Sequence, residues 1–106
     1  YLGVVKRHRT DKFLLSHGVD GFSLALDFQV TRNNRGRLHS LLKDFNKLVL
    51  EGGGKFYFAK DSTLTAEDVS RYLGKKPRDQ FIALKATHDP NNILQTDLFR
   101  RCFING

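Results

Sequence analysis

The side chains able to do chemistry are unevenly spread along the 106 residues. Four histidines, His8, His17, His39 and His88, lie far apart and share no ligand spacing, so the sequence points to no metal site. The single cysteine, Cys102, can neither close an internal disulfide nor build a thiolate cluster, and no base is placed beside it as a nucleophile would require. Asp61, Glu67 and Asp68 read as turn and helix-start residues that complement a helix dipole, not as an acid–base pair. The densest cluster is Tyr57-Phe58-Ala59-Lys60-Asp61-Ser62, which brings a phenol, an ammonium, a carboxylate and a hydroxyl into one short run. In a strict strand Tyr57 and Lys60 point to opposite faces, and they converge only if the strand ends near Ala59. By residue type alone, Tyr57 is a core-edge aromatic and Lys60 a surface lysine. Lys6 is a second unusual cation, since it shares a strand face with Val4 and His8.

The elements that would position these groups follow from periodicity. Residues 1–9 read as a strand with Leu2, Val4, Lys6 and His8 on one face and Val5 and Arg7 on the other. After a polar loop through Ser16-His17-Gly18-Val19-Asp20-Gly21, residues 22–30 alternate strictly. Phe22, Leu24, Leu26, Phe28 and Val30 form one face, expected to be core, while Ser23, Ala25, Asp27 and Gln29 form a small polar face suited to solvent or a site wall. Leu38, Leu41, Leu42, Phe45, Leu48 and Val49 predict an amphipathic helix of about four turns. Gly52-Gly53-Gly54 ends it, and because the glycines follow a helix and precede a strand they are no phosphate-binding loop. Residues 55–60 predict a short aromatic strand. Thr65-Ala66-Glu67-Asp68 has capping-box spacing and opens a helix ending near Gly74. Pro77 suits the first turn of another, which stops at His88-Asp89-Pro90. The expected order is β-β-α-β-α-α, an α+β fold with an antiparallel sheet.

Charge and composition narrow the function. The net charge is +7, and residues 1–50 carry nine basic against four acidic side chains, so most of the excess lies in the first half. Such a balance attracts anions, and a non-catalytic basic module for nucleic acid or another anionic partner is the alternative to an enzyme. No zinc-finger, helix-turn-helix or RNP-like pattern accompanies the charge, so nucleic acid is not the expected partner. No apolar run approaches the roughly 20 residues of a membrane helix, and the lone cysteine suits a reducing, cytoplasmic compartment.

Gly53-Gly54-Lys55-Phe56-Tyr57-Phe58-Ala59-Lys60-Asp61-Ser62, followed by Thr65-Ala66-Glu67, resembles a segment near the C-terminus of FAD-linked oxidases of the vanillyl-alcohol-oxidase type. Val4-Val5-Lys6-Arg7 looks like that family's strand with a substrate-site lysine, and residues 21–28 look like its next strand. Asp89-Pro90 and Asp97 through Arg101 are similar to its closing segment, so the likeness spans nearly the whole chain.

The resemblance implies a C-terminal piece of a longer enzyme, a reading that also fits a chain starting at Tyr1 without methionine. Residues 1–52 would end the substrate (cap) domain. Residues 53–106 would be a return segment packing on an FAD-binding domain that is absent here, with the two forming one compact unit. FAD would be bound mainly by that absent region, so the isolated chain is not expected to be active, and apolar surface meant for burial gives it a route to self-association. By the same resemblance Lys60 would be catalytic and, with Tyr57, would contact the cofactor. Lys6, Tyr57, Ser23, Ala25 and His8 would line the substrate pocket. The implied reaction is oxidation of a secondary alcohol on a sugar- or polyol-type substrate, lipid-phosphate linked in the sugar-oxidising members, by hydride transfer to flavin. Ala25, His8 and Ser23 stand where those members carry cysteine, phenylalanine and asparagine, which implies an altered pocket wall.

Overall fold

Alternating apolar and small side chains build the first two elements, β1 (Leu2–His8) and β2 (Gly21–Asp27), in a computed structural model that describes residues 2–104. They pair antiparallel, with Val4 opposite Ala25, Lys6 opposite Ser23 and His8 opposite Gly21. Directly opposed residues share a face, so this register gathers Val4, Lys6, His8, Ser23 and Ala25 on one side. Val5, Arg7, Phe22, Leu24 and Leu26 occupy the other.

The burial of these faces reverses the sequence expectation. The apolar side is open, with Phe22 70% exposed, Val5 65% and Leu24 63%. Phe28 and Val30, expected to extend it, lie beyond the end of β2 and are exposed as well. Ser23, Ala25, Val4 and His8, on the polar side, are half-buried. Alternation states which residues share a face; it does not state which face another layer will cover. The two strands are the whole sheet among the described residues.

α1 (Arg35–Glu51) follows a turn in which Asn34 accepts from the Thr31 N–H (2.7 Å) and donates to the Gln29 carbonyl (2.9 Å). Leu38, Leu42 and Phe45 of its apolar stripe are half-buried, whereas Leu41, Leu48 and Val49 are exposed. The glycines end it as expected, Gly53 taking the left-handed φ of +69° that a side chain would oppose.

The strand expected over residues 55–60 does not form. The chain runs extended through Tyr57 and then tightens into a 3₁₀ turn, Phe58–Lys60. No strand lies beside it to complete a ladder, and Phe56 and Phe58 pack on Tyr72 instead (ring centroids 5.3 and 6.0 Å). The α+β class stands, and this element is where the order departs from expectation.

α2 (Ala66–Leu73) opens on a complete capping box, in which the Asp68 N–H donates to Thr65 Oγ1 (3.2 Å) and the Thr65 N–H to the Asp68 carboxylate (2.9 Å). α3 (Lys75–His88) carries Pro77 in its first turn and stops before Pro90. α4 (Asp97–Phe99) starts on the Thr96 hydroxyl and runs into a π-helical turn, Arg100–Ile104. The core lies among these C-terminal elements. Leu64, Val69, Cys102 and Phe103 are buried there, surrounded by Phe58, Tyr72, Phe81, Ile82, Leu98 and Phe99. Burial pushes the Cys102 thiol up, so it packs as a small apolar group, not as a nucleophile. The radius of gyration, 15.0 Å, exceeds the roughly 13 Å of a compact chain this long, because the β-ribbon stands largely outside that core. No helix among the described residues is long and apolar enough to cross a membrane.

Candidate functional site

Four of the six sequence-nominated residues, Lys6, His8, Ser23 and Ala25, share one face of the sheet. His8 Nε2 lies 2.6 Å from Ser23 Oγ, a diagonal cross-strand hydrogen bond two residues along from the directly opposed pair Lys6–Ser23. Lys6 and Ala25 share that face by register. Arg7 faces away. It lies over the Phe22 ring (5.5 Å) and pairs with Asp20, so the basic run Lys6-Arg7-His8-Arg9 is divided between two surfaces.

Tyr57 reaches the face through a residue that sequence reasoning set aside as one of four scattered histidines. The His17 ring stands edge-on to His8 (5.1 Å) and tilted against Tyr57 (4.7 Å). Only the polar loop sequence hinted at His17, because the contact joins segments forty residues apart.

The loop between β1 and β2 is built to hold that ring. Asp11 accepts from the Phe13 N–H (2.9 Å) and the Ser16 hydroxyl (2.7 Å), and Ser16 Oγ accepts from the Gly18 N–H (2.8 Å). A Cβ on Gly18 would stand 2.7 Å from an Asp11 carboxylate oxygen, so a side chain there would push that carboxylate out of its place in the network. The Ser16 hydrogen bond first, then the Phe13 N–H, hold the Asp11 carboxyl below its usual range, and His17 adds a smaller favourable charge. Asp89, bonded by Lys85 and by the N–H groups of Ile93 and Leu94, is held low in the same way. A lowered folded pKa means stabilisation that is present above the ordinary carboxyl value near ~4 and lost as pH falls through the lowered one. Amide-exchange protection at Gly18, Ile93 and Leu94 should therefore be steady from pH 7 to about 5 and fall below about 4. Protection that stays constant down to pH 2 would contradict these roles.

Lys60 follows in the 3₁₀ turn, its N–H donating to the Tyr57 carbonyl (3.0 Å). The extended stretch ends at Tyr57, before Ala59, so the strand-parity argument that separated the two side chains does not apply. No hydrogen bond or ion pair joins Lys60 to Lys6, His8 or Ser23, and neither lysine has a carboxylate partner among the described residues. Asp61 anchors the turn. Its carboxylate accepts from the N–H groups of Thr63 (3.1 Å) and Leu64 (3.0 Å) and from Arg101 (3.0 Å). Among the described residues no group of histidine, cysteine and carboxylate side chains could hold a metal.

Most of the chain is similar to part of a characterised protein. Over 88 residues the chain is 33% identical to decaprenylphosphoryl-β-D-ribose oxidase of Mycolicibacterium smegmatis. The resemblance to an FAD-linked oxidase holds. The match covers 82% of this chain but only 18% of the ribose oxidase, so the chain spans under a fifth of that relative's length. No protein-family model matches the chain.

The chemistry of this face fits the reacting end of a flavin. The Lys6 ammonium without a carboxylate partner, a half-exposed phenol and two imidazoles can meet an electron-rich ring edge and a hydroxylated substrate. It does not fit a pyrophosphate, because the glycine run closes α1 instead of leading from a strand into a helix.

Proposed function

We propose that this chain supplies part of the substrate side of an FAD-dependent oxidoreductase that oxidises a secondary alcohol of a sugar- or polyol-type substrate. The observation that carries this reading is the gathering of Lys6, His8, Ser23 and Ala25, nominated by the resemblance to a ribose oxidase, on one half-buried sheet face that Tyr57 joins through His17. FAD, held chiefly by another region of the same polypeptide, supplies the hydride acceptor.

This chain's residues bind and orient. Lys6, His8, Ser23 and Tyr57 offer hydrogen bonds to a substrate rich in hydroxyls, and the Lys6 ammonium suits a phosphate on such a substrate. Ala25 leaves room beside Ser23. The Lys60 ammonium favours negative charge on the reacting oxygen and on the reduced ring. Lys60 and Tyr57 are the groups assigned to the flavin.

The test uses the full-length flavoprotein. Lys60→Ala should retain bound FAD, seen in its absorption spectrum, while anaerobic flavin bleaching by secondary sugar alcohols slows by roughly a hundredfold. Unchanged bleaching would remove Lys60 from the reaction. Failure of every sugar or polyol to bleach the wild-type flavin would overturn the substrate class.

A further inference from the structure

Tyr57 is half-exposed, and its ring touches no other aromatic group than His17 among the described residues. Its hydroxyl makes no hydrogen bond there. The residues on either side of His17, by contrast, are tied by the Asp11–Ser16–Gly18 network, which sets the path of the loop with no bond to Tyr57. The support therefore runs from loop to imidazole to phenol.

We propose that His17 is a positioning residue, holding the Tyr57 ring against the face that bears Lys6, His8 and Ser23 and leaving the phenol hydroxyl free for a ligand. The meaning of that placement rests on the substrate-site reading above, but the contact can be tested without turnover. The loop is then a wall of the site as well as a connection between two strands. The other ionisable groups around His17 are His8 on β1, Tyr57 on the segment after α1, and Asp11 on its own loop, with Lys55 beside Asp11 and Lys6 on the His8 face.

The imidazole gives the contact a signature that inert packing lacks. Protonating His17 places a cation against the Tyr57 ring and alters its magnetic environment. The full-length polypeptide is labelled with ring-¹³C tyrosine, and the Tyr57 resonance is identified by its loss in Tyr57→Phe. In the wild type that resonance should move with pH. His17→Phe should keep cross-peaks between the Tyr57 ring and the ring at position 17 and abolish the pH response. His17→Ala should move the Tyr57 resonance toward that of a free tyrosine while the methyl signals of Leu64 and Val69 stay in place. A wild-type resonance indifferent to pH, a response surviving in His17→Phe, or a Tyr57 resonance unchanged in His17→Ala would each overturn the proposal. If the alanine variant unfolds, the phenylalanine variant decides alone. Failure of the substrate reading shows itself separately, as absent flavin bleaching with this coupling intact.

Discussion

Phe103→Ala should destabilise the chain by about 4 kcal/mol, enough to leave it largely unfolded if its total stability is typical of a small domain. Phe103 is only 6% exposed and has ring neighbours on three elements: Phe81 of α3 at 4.7 Å, Phe58 of the 3₁₀ turn at 5.7 Å and Phe99 of α4 at 5.9 Å. Truncation removes the transfer energy of an aromatic ring and opens a cavity that three separately anchored elements close only in part. Few buried residues remain to compensate, because the core is small and the β-ribbon adds little to it. Equilibrium urea unfolding followed by far-UV circular dichroism measures the effect. Phe103→Leu keeps more of the volume and should lose less than half as much. A loss below about 1 kcal/mol for the alanine variant would mean that the core lies elsewhere.

Asp61→Ala should cost about 3 kcal/mol. The Asp61 side chain is 7% exposed and serves three donors, the N–H groups of Thr63 and Leu64 and the Arg101 guanidinium. Removing it strands two backbone donors and a cation, which costs more than a lost surface pair contributes. Arg101 is about a quarter exposed and also donates to the Leu64 carbonyl, which keeps the figure at the lower end for a broken buried pair. Asp61→Asn separates the contributions, because the amide oxygen still accepts from the backbone while the charge is gone. It should lose about half as much as the alanine variant. Equal losses in the two variants would place the whole effect on the ion pair. The site is affected as well, since Asp61 anchors the C-terminal end of the turn that carries Tyr57 and Lys60.

These two residues also mark where sequence reasoning was strong and where it ran short. Asp61 was legible as a turn residue because its two backbone acceptor bonds are local. Its pairing with Arg101 was not, because the two lie forty positions apart. The aromatic run 55–60 has the composition of a strand, but a strand is completed by a neighbour's hydrogen bonds, and Tyr72 claims those aromatic side chains instead. His17 was passed over for the same reason. Its significance lies in two rings that sequence spacing does not place beside it.

The sequence by itself determined what depends on a few neighbouring residues: the β1–β2 alternation, the glycine end of α1, the capping box of α2 and the proline stop after α3. Caps, turns and periodicity are local chemistry, written within a turn or two of backbone. The same alternation put Ser23 and Ala25 on one face and left that face uncommitted. Tertiary structure decided that this polar face is the sheltered one, and that the apolar face of Phe22 and Leu24 is open. It also decided that a loop histidine links Tyr57 to the site. Those outcomes depend on which surfaces meet across long loops, and the closure of such loops is governed by packing of the whole chain, not by any local preference.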